Sequence, residues 1–314
     1  MFGANFSTFH PTVFILLGIP GLENYHTWLS LPFCLMYITV VLENGTLILV
    51  VFSACTLHAR MYVFLSVLAD ADILLSTTTI PKALAILWFH AGEIAFDACI
   101  TQMFFIHVAF VAESGILLAM AFDRVVAICT PLRYTAILTL MAIGKMTLAI
   151  WGRSTGTIFP IIFLMKRLPY CRTNIIPHSY CEHIAVARLV CADITVNIWY
   201  GFSVLMASVL VDVALIGISY TLILQAVFRL PSQDVRHKAL NTCGSHIGFI
   251  LFFIPSFFTF LTHRFGKNIP HHVHILLANL YVLIPCMLNP ITCGAKPKQI
   301  RDSMAHVLSV VGKS

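Results

Sequence analysis

Seven long, unbroken apolar runs constrain the fold of this chain more than any other feature of its sequence. A helix that crosses the hydrocarbon core of a bilayer needs about 20 apolar residues, whereas strands of a membrane β-barrel alternate apolar and polar residues over about 10 positions. Only 10% of the 314 residues are charged, compared with about 25% in soluble proteins. The sequence therefore predicts an all-α membrane protein, a seven-transmembrane helix bundle with spans at Leu29–Ala54, Met61–Phe89, Ile100–Ile128, Met141–Leu164, Ile198–Phe228, Ala239–Leu261 and His274–Gly294.

The distribution of Lys and Arg predicts the orientation of this bundle. Cytoplasmic loops carry an excess of these residues. With the N-terminus outside, eleven of the 19 Lys and Arg residues fall on the inner side of the membrane and six on the outer side. We therefore expect an outer N-terminus and a cytosolic C-terminus. The net charge of +6 then reflects the inner membrane face, and nucleic acid is not an expected partner.

The chain is predicted to form one membrane domain over residues 1–314. Residues 1–28 would be an outer N-terminal segment, 29–294 the helix bundle and 295–314 a cytosolic tail. The run TVFILLGIPG is short and no Lys or Arg precedes it, so we do not expect a signal peptide. The tail predicts a short amphipathic helix at the membrane surface, because its apolar residues recur at helical spacing: Ile300, Met304, Val307, Leu308 and Val311.

Sequons and cysteines agree with this orientation. Asn5 begins the sequon NFS on the outer side, where glycosylation occurs, whereas the sequon at Asn44 lies within the first span and should be silent. Four outer cysteines can form disulfides in three alternative pairings: Cys99, Cys171, Cys181 and Cys191. The other six are predicted to be small buried apolar residues: Cys34, Cys55, Cys129, Cys243, Cys286 and Cys293.

Charged residues within the spans are expected to face the bundle interior, because charge in hydrocarbon costs a few kcal/mol or more. The acidic ones are Glu43, Asp70, Asp72, Glu113 and Asp212, of which we interpret Asp70 and Asp212 as structural, and the basic ones are Lys82 and Arg153. Asp123 and Arg124 come at the inner end of the third span, in MAFDRVVAICTPLRY. They are either an interfacial anchor or a lock that holds the inner ends of the helices together.

Several ordered motifs, from Phe14 to about Arg301, resemble the olfactory receptors, a family of rhodopsin-like G-protein-coupled receptors. MAFDRVVAICTPLRY, KALNTCGSH and NPITC are similar to signatures of the third, sixth and seventh helices. LLGIPGLE, LPYC, HRFG and IPHHVHILLANLYVLIP resemble the class I, fish-like branch, in its family 51/52 group. Four residues depart from the usual pattern: Val125 and Cys293 replace tyrosines, Glu43 replaces a glycine, and Asp70 replaces an apolar residue.

This resemblance implies a plasma-membrane odorant receptor that activates a stimulatory, olfactory-type heterotrimeric G protein. The residues implied in coupling and activation are Asp123, Arg124, Asn289 and Pro290. It also implies the disulfides Cys99–Cys181 and Cys171–Cys191. Asp72 and Glu113 would line a mid-bundle cavity that can hold a sodium ion, since hard cations prefer oxygen ligands. The alternative is that one or both carboxyls stay protonated in a hydrogen-bonded core.

Class I receptors tend to favour hydrophilic odorants such as carboxylic acids, so the resemblance implies a fatty-acid ligand in the outer half of the bundle. Arg264 would bind the carboxylate bidentately, with His107 as a second polar contact. The alternatives are an interfacial snorkelling arginine and a hydrogen-bonded core histidine. Helical phase and resemblance together predict an apolar wall of Phe110, Val111, Phe202, Leu205, Met206, Phe257 and Phe260.

Three other functions compete with a signalling receptor. A seven-span transporter or channel is disfavoured because the sequence has no inverted repeat. An intramembrane enzyme is not expected, since the chain has neither a GxSxG motif nor a paired catalytic-Asp motif. A receptor-like protein with impaired signalling stays open, because Val125 and Cys293 replace the usual tyrosines.

Overall fold

A computed structural model describes residues 11–53, 60–170, 173–229, 233, 236 and 270–290. Within these residues, six helices are long and apolar enough to cross a membrane. They match the first five predicted spans and the seventh. The sixth predicted span, Ala239–Leu261, and the predicted amphipathic tail helix lie outside the described residues. The described helices are α1 (His26–Ser53), α2 (Arg60–Phe89), α3 (Phe96–Cys129), α4 (Tyr134–Ile137), α5 (Leu140–Lys166), α6 (His183–Ala187), α7 (Thr195–Phe228) and α8 (His271–Asn289).

Helix α3 lies at the centre of the described bundle and packs against α2, α5 and α7. Its buried face carries small and apolar residues, such as Ala109, Ala112 and Ile116, which allow close approach of neighbouring helices. Large apolar side chains stay exposed on the outside of the bundle, including Trp28, Leu35 and Phe159. Exposed apolar surface of this kind is what lipid solvates, as the composition predicted.

A small three-stranded sheet covers the outer end of the bundle. Strand β1 (Val13–Leu16) pairs antiparallel with β2 (Glu93–Ala95) and parallel with β3 (Ile175–Ile176). Its Phe14 is fully buried between the rings of Phe96 and Tyr170, at centroid distances of 5.6 and 5.8 Å. Four residues of the short apolar run TVFILLGIPG therefore form the central strand of an outer sheet.

One sequence expectation about membrane-embedded charge is wrong. Asp72, Glu113 and Asp212 are buried as predicted, and Glu43 is half-buried. Asp70, however, is exposed on the outside of α2. Successive residues of an α-helix are about 100° apart, so Asp70 and Asp72 point about 200° apart and cannot both face the interior.

Candidate functional site

The second outer loop closes over the outer end of α3 through residues 178–183, which we name the lid segment. A disulfide joins its Cys181 to Cys99, in the first turn of α3. The Cys181 backbone N–H also donates to Gln102 Oε1 at 2.9 Å. Covalent and hydrogen-bonded links therefore hold the lid segment against α3.

Helix α8 holds the lid segment from the other side. The Asn279 side-chain amide donates to Ser179 Oγ at 2.8 Å, and also to the Ile275 carbonyl at 2.8 Å. The His178 ring packs edge-on against Tyr180, with 4.3 Å between centroids. Nothing in the sequence signalled Ser179 or Asn279, because their contact joins residues 100 positions apart.

The second predicted disulfide is described only in part. Cys191 is disulfide-bonded, but its predicted partner, Cys171, lies outside the described residues. Among the described cysteines, the free ones are Cys34, Cys129 and Cys286. Cys286 is buried as predicted and Cys34 is half-buried, whereas Cys129 is exposed at the inner end of α3, so the prediction of a buried residue is wrong there.

Two histidine rings meet below the disulfide. His107 Nδ1–H donates to the Met103 carbonyl at 2.8 Å, and the ring lies edge-on to His183 of the lid segment at 6.2 Å. Because Nδ1 carries the proton, Nε2 of a neutral His107 is an acceptor, and it becomes a donor when the ring is protonated. Gly201 of α7 lies opposite, where a Cβ would be 3.6 Å from His183 Cε1. Helix α3, helix α7 and the lid segment therefore meet at the two histidine rings.

The predicted apolar wall is placed on α3 and α7. Val111 is fully buried in the central core, and Phe110 packs against that core. On α7, Met206 is half-buried and the Phe202 ring lies 6.1 Å from Trp199. The other predicted ligand and glycosylation residues lie outside what the structure describes: Phe257, Phe260, Arg264, Asn5 and the side chain of Leu205.

A second polar group lies at the middle of the bundle. Both oxygens of Asp72 accept hydrogen bonds from the Asn289 amide at 2.8 Å. Glu113 is 2% exposed, and its Oε1 has no hydrogen-bond partner among the described residues. One potential ligand atom each from Asp72, Glu113 and Cys286 lie within 4.8 Å of one another. The two carboxylates, one with a buried unpartnered oxygen, fit a hard cation such as sodium, whereas the Cys286 thiol does not.

An ion pair between the buried Asp212 and the half-buried Arg153, which the sequence analysis missed, joins α5 to α7. Arg153 donates to the two oxygens of Asp212 at 2.7 and 2.6 Å, and Ser114 of α3 donates to the same carboxylate at 2.7 Å. Gly115 makes room for this pair, since a Cβ there would lie 2.9 Å from Arg153 Nη2. The sequence did show one arginine and one aspartate inside separate spans, which was the available signal for a pair.

At the inner end of α3, Asp123 and Arg124 contact different partners. Tyr134 donates to Asp123 Oδ1 at 2.9 Å, while Arg124 donates to Met61 Sδ of α2 at 2.6 Å. Burial and the Asp123 carboxylate raise the pKa of Tyr134 to about 12, so its hydroxyl is a donor at neutral pH. Arg60 lies over the Tyr134 ring at 5.0 Å. Asp123 therefore holds the second inner loop, and Arg124 reaches α2.

Comparison of the amino-acid sequence with known proteins identifies the family of this chain. The profile described as "Olfactory receptor" matches residues 33–310. Human "Olfactory receptor 52B2" is 68% identical over 303 residues, covering 96% of this chain and 94% of the relative. Human "Olfactory receptor 52B4" is 57% identical with 96% of each chain covered, and human "Olfactory receptor 52D1" is 55% identical with 98% of each covered.

Proposed function

The chain belongs to the olfactory receptor family, and from this premise we propose that its odorant is a small carboxylic acid and its transducer a stimulatory, olfactory-type G protein. The family consists of odorant-sensing G-protein-coupled receptors, multi-pass proteins of the plasma membrane that are not enzymes. The chemical class of the ligand and the type of G protein form the proposal.

The observation that carries the ligand proposal is the contact of His107 with His183. The His107 ring lies against His183 of the disulfide-tied lid segment, next to the apolar side chains of α3 and α7. Ligand pockets combine mostly apolar walls with a few converging polar groups. Nδ1–H of His107 is already bonded to the Met103 carbonyl, so a carboxylate would be bound by Nε2–H of the protonated ring. A carboxylic acid also supplies the apolar chain that the walls would bind.

A carboxylate in such a pocket also needs a cation, because an unpaired buried charge is very costly. Lys82 is a poor candidate, since its Nζ already donates to the backbone carbonyls of Ala91 and Glu93 at 2.7 and 2.6 Å. Arg153 is bound bidentately to Asp212. We therefore keep Arg264, which lies outside the described residues, as the proposed carboxylate partner, with His107 as the second polar contact.

The ligand proposal is tested by measuring cyclic AMP in cells that express the receptor and are exposed to fatty acids and their methyl esters. Removing one partner of a desolvated charge pair costs about 2–5 kcal/mol, so Arg264→Ala should weaken the acid response at least tenfold. Arg264→Lys should restore it only in part, because the bidentate fork is lost. Arg167→Ala is the matched control, since Arg167 is an outer arginine that contacts the Phe163 ring. A full acid response of Arg264→Ala at equal surface expression would refute the assignment.

The G-protein proposal rests on the inner end of α3. Asp123 fixes the second inner loop through Tyr134, and this loop lies on the cytosolic side where a G protein must dock. In cells that lack stimulatory Gα subunits, the acid-driven rise in cyclic AMP should vanish, and re-expression of the olfactory-type subunit should restore it. A response that persists in the deleted cells would contradict this coupling.

One observation favours the second candidate, a receptor with impaired signalling. Val125 stands where the family usually has a tyrosine, and it packs half-buried against the central core. A hydroxyl that could support the active inner face is therefore absent at this position.

A further inference from the structure

An outer cavity of about 410 Å³ lies between the second outer loop and the first turn of α8. Its volume is at the lower end of the range of about 300–1,000 Å³ that small-molecule sites occupy. Exposed Arg188 and Ile175 lie at its rim, so it reaches the outer surface. We name it the outer cavity; it is lined by Thr173, Ile175, Pro177, His178, Ala185, Arg188, Leu189, His274 and Ile275.

The outer cavity is separate from the proposed odorant pocket. Neither His107 nor His183 lines it. The lid segment lies between the two, with His178 lining the outer cavity and His183 packed on His107. Because the lid segment is tied to both α3 and α8, it lies as a fixed wall between the outer cavity and His107.

The titratable side chains that line the outer cavity are all basic. Among the residues that the structure describes, its lining contains one guanidinium and two imidazoles but no carboxylate. The ion pairs among the described residues are Arg153–Asp212 and Lys166–Asp97, and neither involves Arg188. A guanidinium on an apolar rim is a strong site for a carboxylate, which it can bind with two parallel hydrogen bonds.

The rest of the lining is apolar, so the ligand must carry a hydrocarbon part as well as an anionic head. Leu189 and Ile275 are 6% and 2% exposed, and Ile175 extends this apolar surface to the rim. An inorganic anion would leave these side chains without a contact. An alkyl carboxylate places its head at Arg188 and its chain against the three apolar residues.

We propose that the outer cavity is a second binding site of this receptor, for the anionic form of a small alkyl carboxylic acid. The inference rests on the proposed function only in the chemical class of the ligand. The acid binds here outside the lid segment, and the odorant pocket lies inside it. A receptor molecule therefore binds two acid molecules, of which only the inner one contacts the bundle core.

The test counts hexanoate sites on the full-length receptor in lipid nanodiscs, using equilibrium dialysis of radiolabelled hexanoate. The parent should show two classes of site. Arg188→Gln should weaken one class about three- to fivefold, as expected for an exposed ion pair, and leave the other unchanged. His107→Phe should do the reverse. Arg167→Gln is the matched control, because it removes one outer positive charge away from the outer cavity. Ala185→Leu, which adds bulk to the lining without changing charge, should weaken the same class as Arg188→Gln.

The outcomes separate this inference from the proposed function. A single class that is lost in His107→Phe and unchanged in Arg188→Gln and Ala185→Leu overturns the outer site and leaves the odorant proposal standing. A single class lost only in Arg188→Gln supports the outer site and contradicts the odorant pocket. Equal losses in Arg188→Gln and Arg167→Gln indicate general surface charge and overturn the outer site. Absence of any saturable hexanoate binding overturns both.

Discussion

The buried Arg153–Asp212 pair gives the sharpest prediction about stability. Asp212 is fully buried and accepts three hydrogen bonds, two from Arg153 and one from Ser114. The Arg153 side chain is 36% exposed, and because it lies within the fourth predicted span, lipid covers that part. Neither charge can therefore turn to bulk water when its partner is removed.

We expect Asp212→Leu or Arg153→Leu alone to destabilise the receptor by about 3–5 kcal/mol, the cost of leaving one buried charge unpaired. At 1.4 kcal/mol per factor of ten, the lower value is a change of about 100-fold in the ratio of folded to unfolded receptor. The double variant Arg153→Leu/Asp212→Leu should cost less than either single change, because replacing a whole buried pair with apolar residues is often nearly neutral.

The assay is thermal unfolding of purified receptor in nanodiscs, together with surface expression in cells. Asp97→Asn is the matched control, since Asp97 pairs with Lys166 at 2.7 Å while their side chains are 76% and 58% exposed. Exposed pairs contribute about 1 kcal/mol or less, so this control should hardly change the midpoint. If the single variants unfold at the parent's temperature, or if the double variant is the least stable, the reasoning is wrong.

Three further predictions concern the outer disulfide and the inner face. Replacing Cys99 and Cys181 with Ser should lower the unfolding midpoint and surface expression, because closing a loop of this 82-residue separation is worth about 4–5 kcal/mol in the chain-entropy treatment; an unchanged midpoint contradicts this. Tyr134→Phe removes a hydrogen bond to Asp123 worth about 1.5–3 kcal/mol, so ligand-driven cyclic AMP should fall several-fold at matched expression, and an equal response excludes this role. Val125→Tyr should raise basal and ligand-driven cyclic AMP without changing the order of ligands; if both stay at the parent's values, Val125 does not weaken signalling.

The helices were predictable from the sequence because membrane solvent imposes a local rule. Each described span begins and ends within a few residues of its apolar run; α2, for example, begins at Arg60 where the run begins at Met61. Strand β1 was not predictable, since its four residues become a strand only by pairing with β2 and β3, which are distant in the sequence. The exposure of Asp70 could have been predicted from its phase relative to Asp72.

The candidate site was predictable where a single residue type carried the signal. His107 stood out as a histidine in an apolar helix, and the four outer cysteines predicted disulfides. His183, the neighbour of His107, did not stand out, because it begins the short helix α6 within the second outer loop, whose path over α3 is set by the Cys99–Cys181 bond. Contacts of this kind can be identified only from the three-dimensional fold, because spacing along the sequence does not show which loop residue lies against a helix.

The mid-bundle carboxylates lead to a last prediction, on sodium. Glu113 has a buried oxygen without a partner among the described residues, and Asp72 and Asn289 lie beside it. A cation bound only by the folded receptor stabilises it by about 1.4 kcal/mol at ten times its dissociation constant. We therefore expect sodium chloride to raise the unfolding midpoint above that in choline chloride of equal ionic strength, and Glu113→Gln to abolish the difference. Glu43→Gln is the matched control, a half-buried carboxyl on α1 that is not part of this cluster. If the sodium effect survives in Glu113→Gln, or never appears in the parent, these carboxyls form a protonated, hydrogen-bonded core and not an ion site.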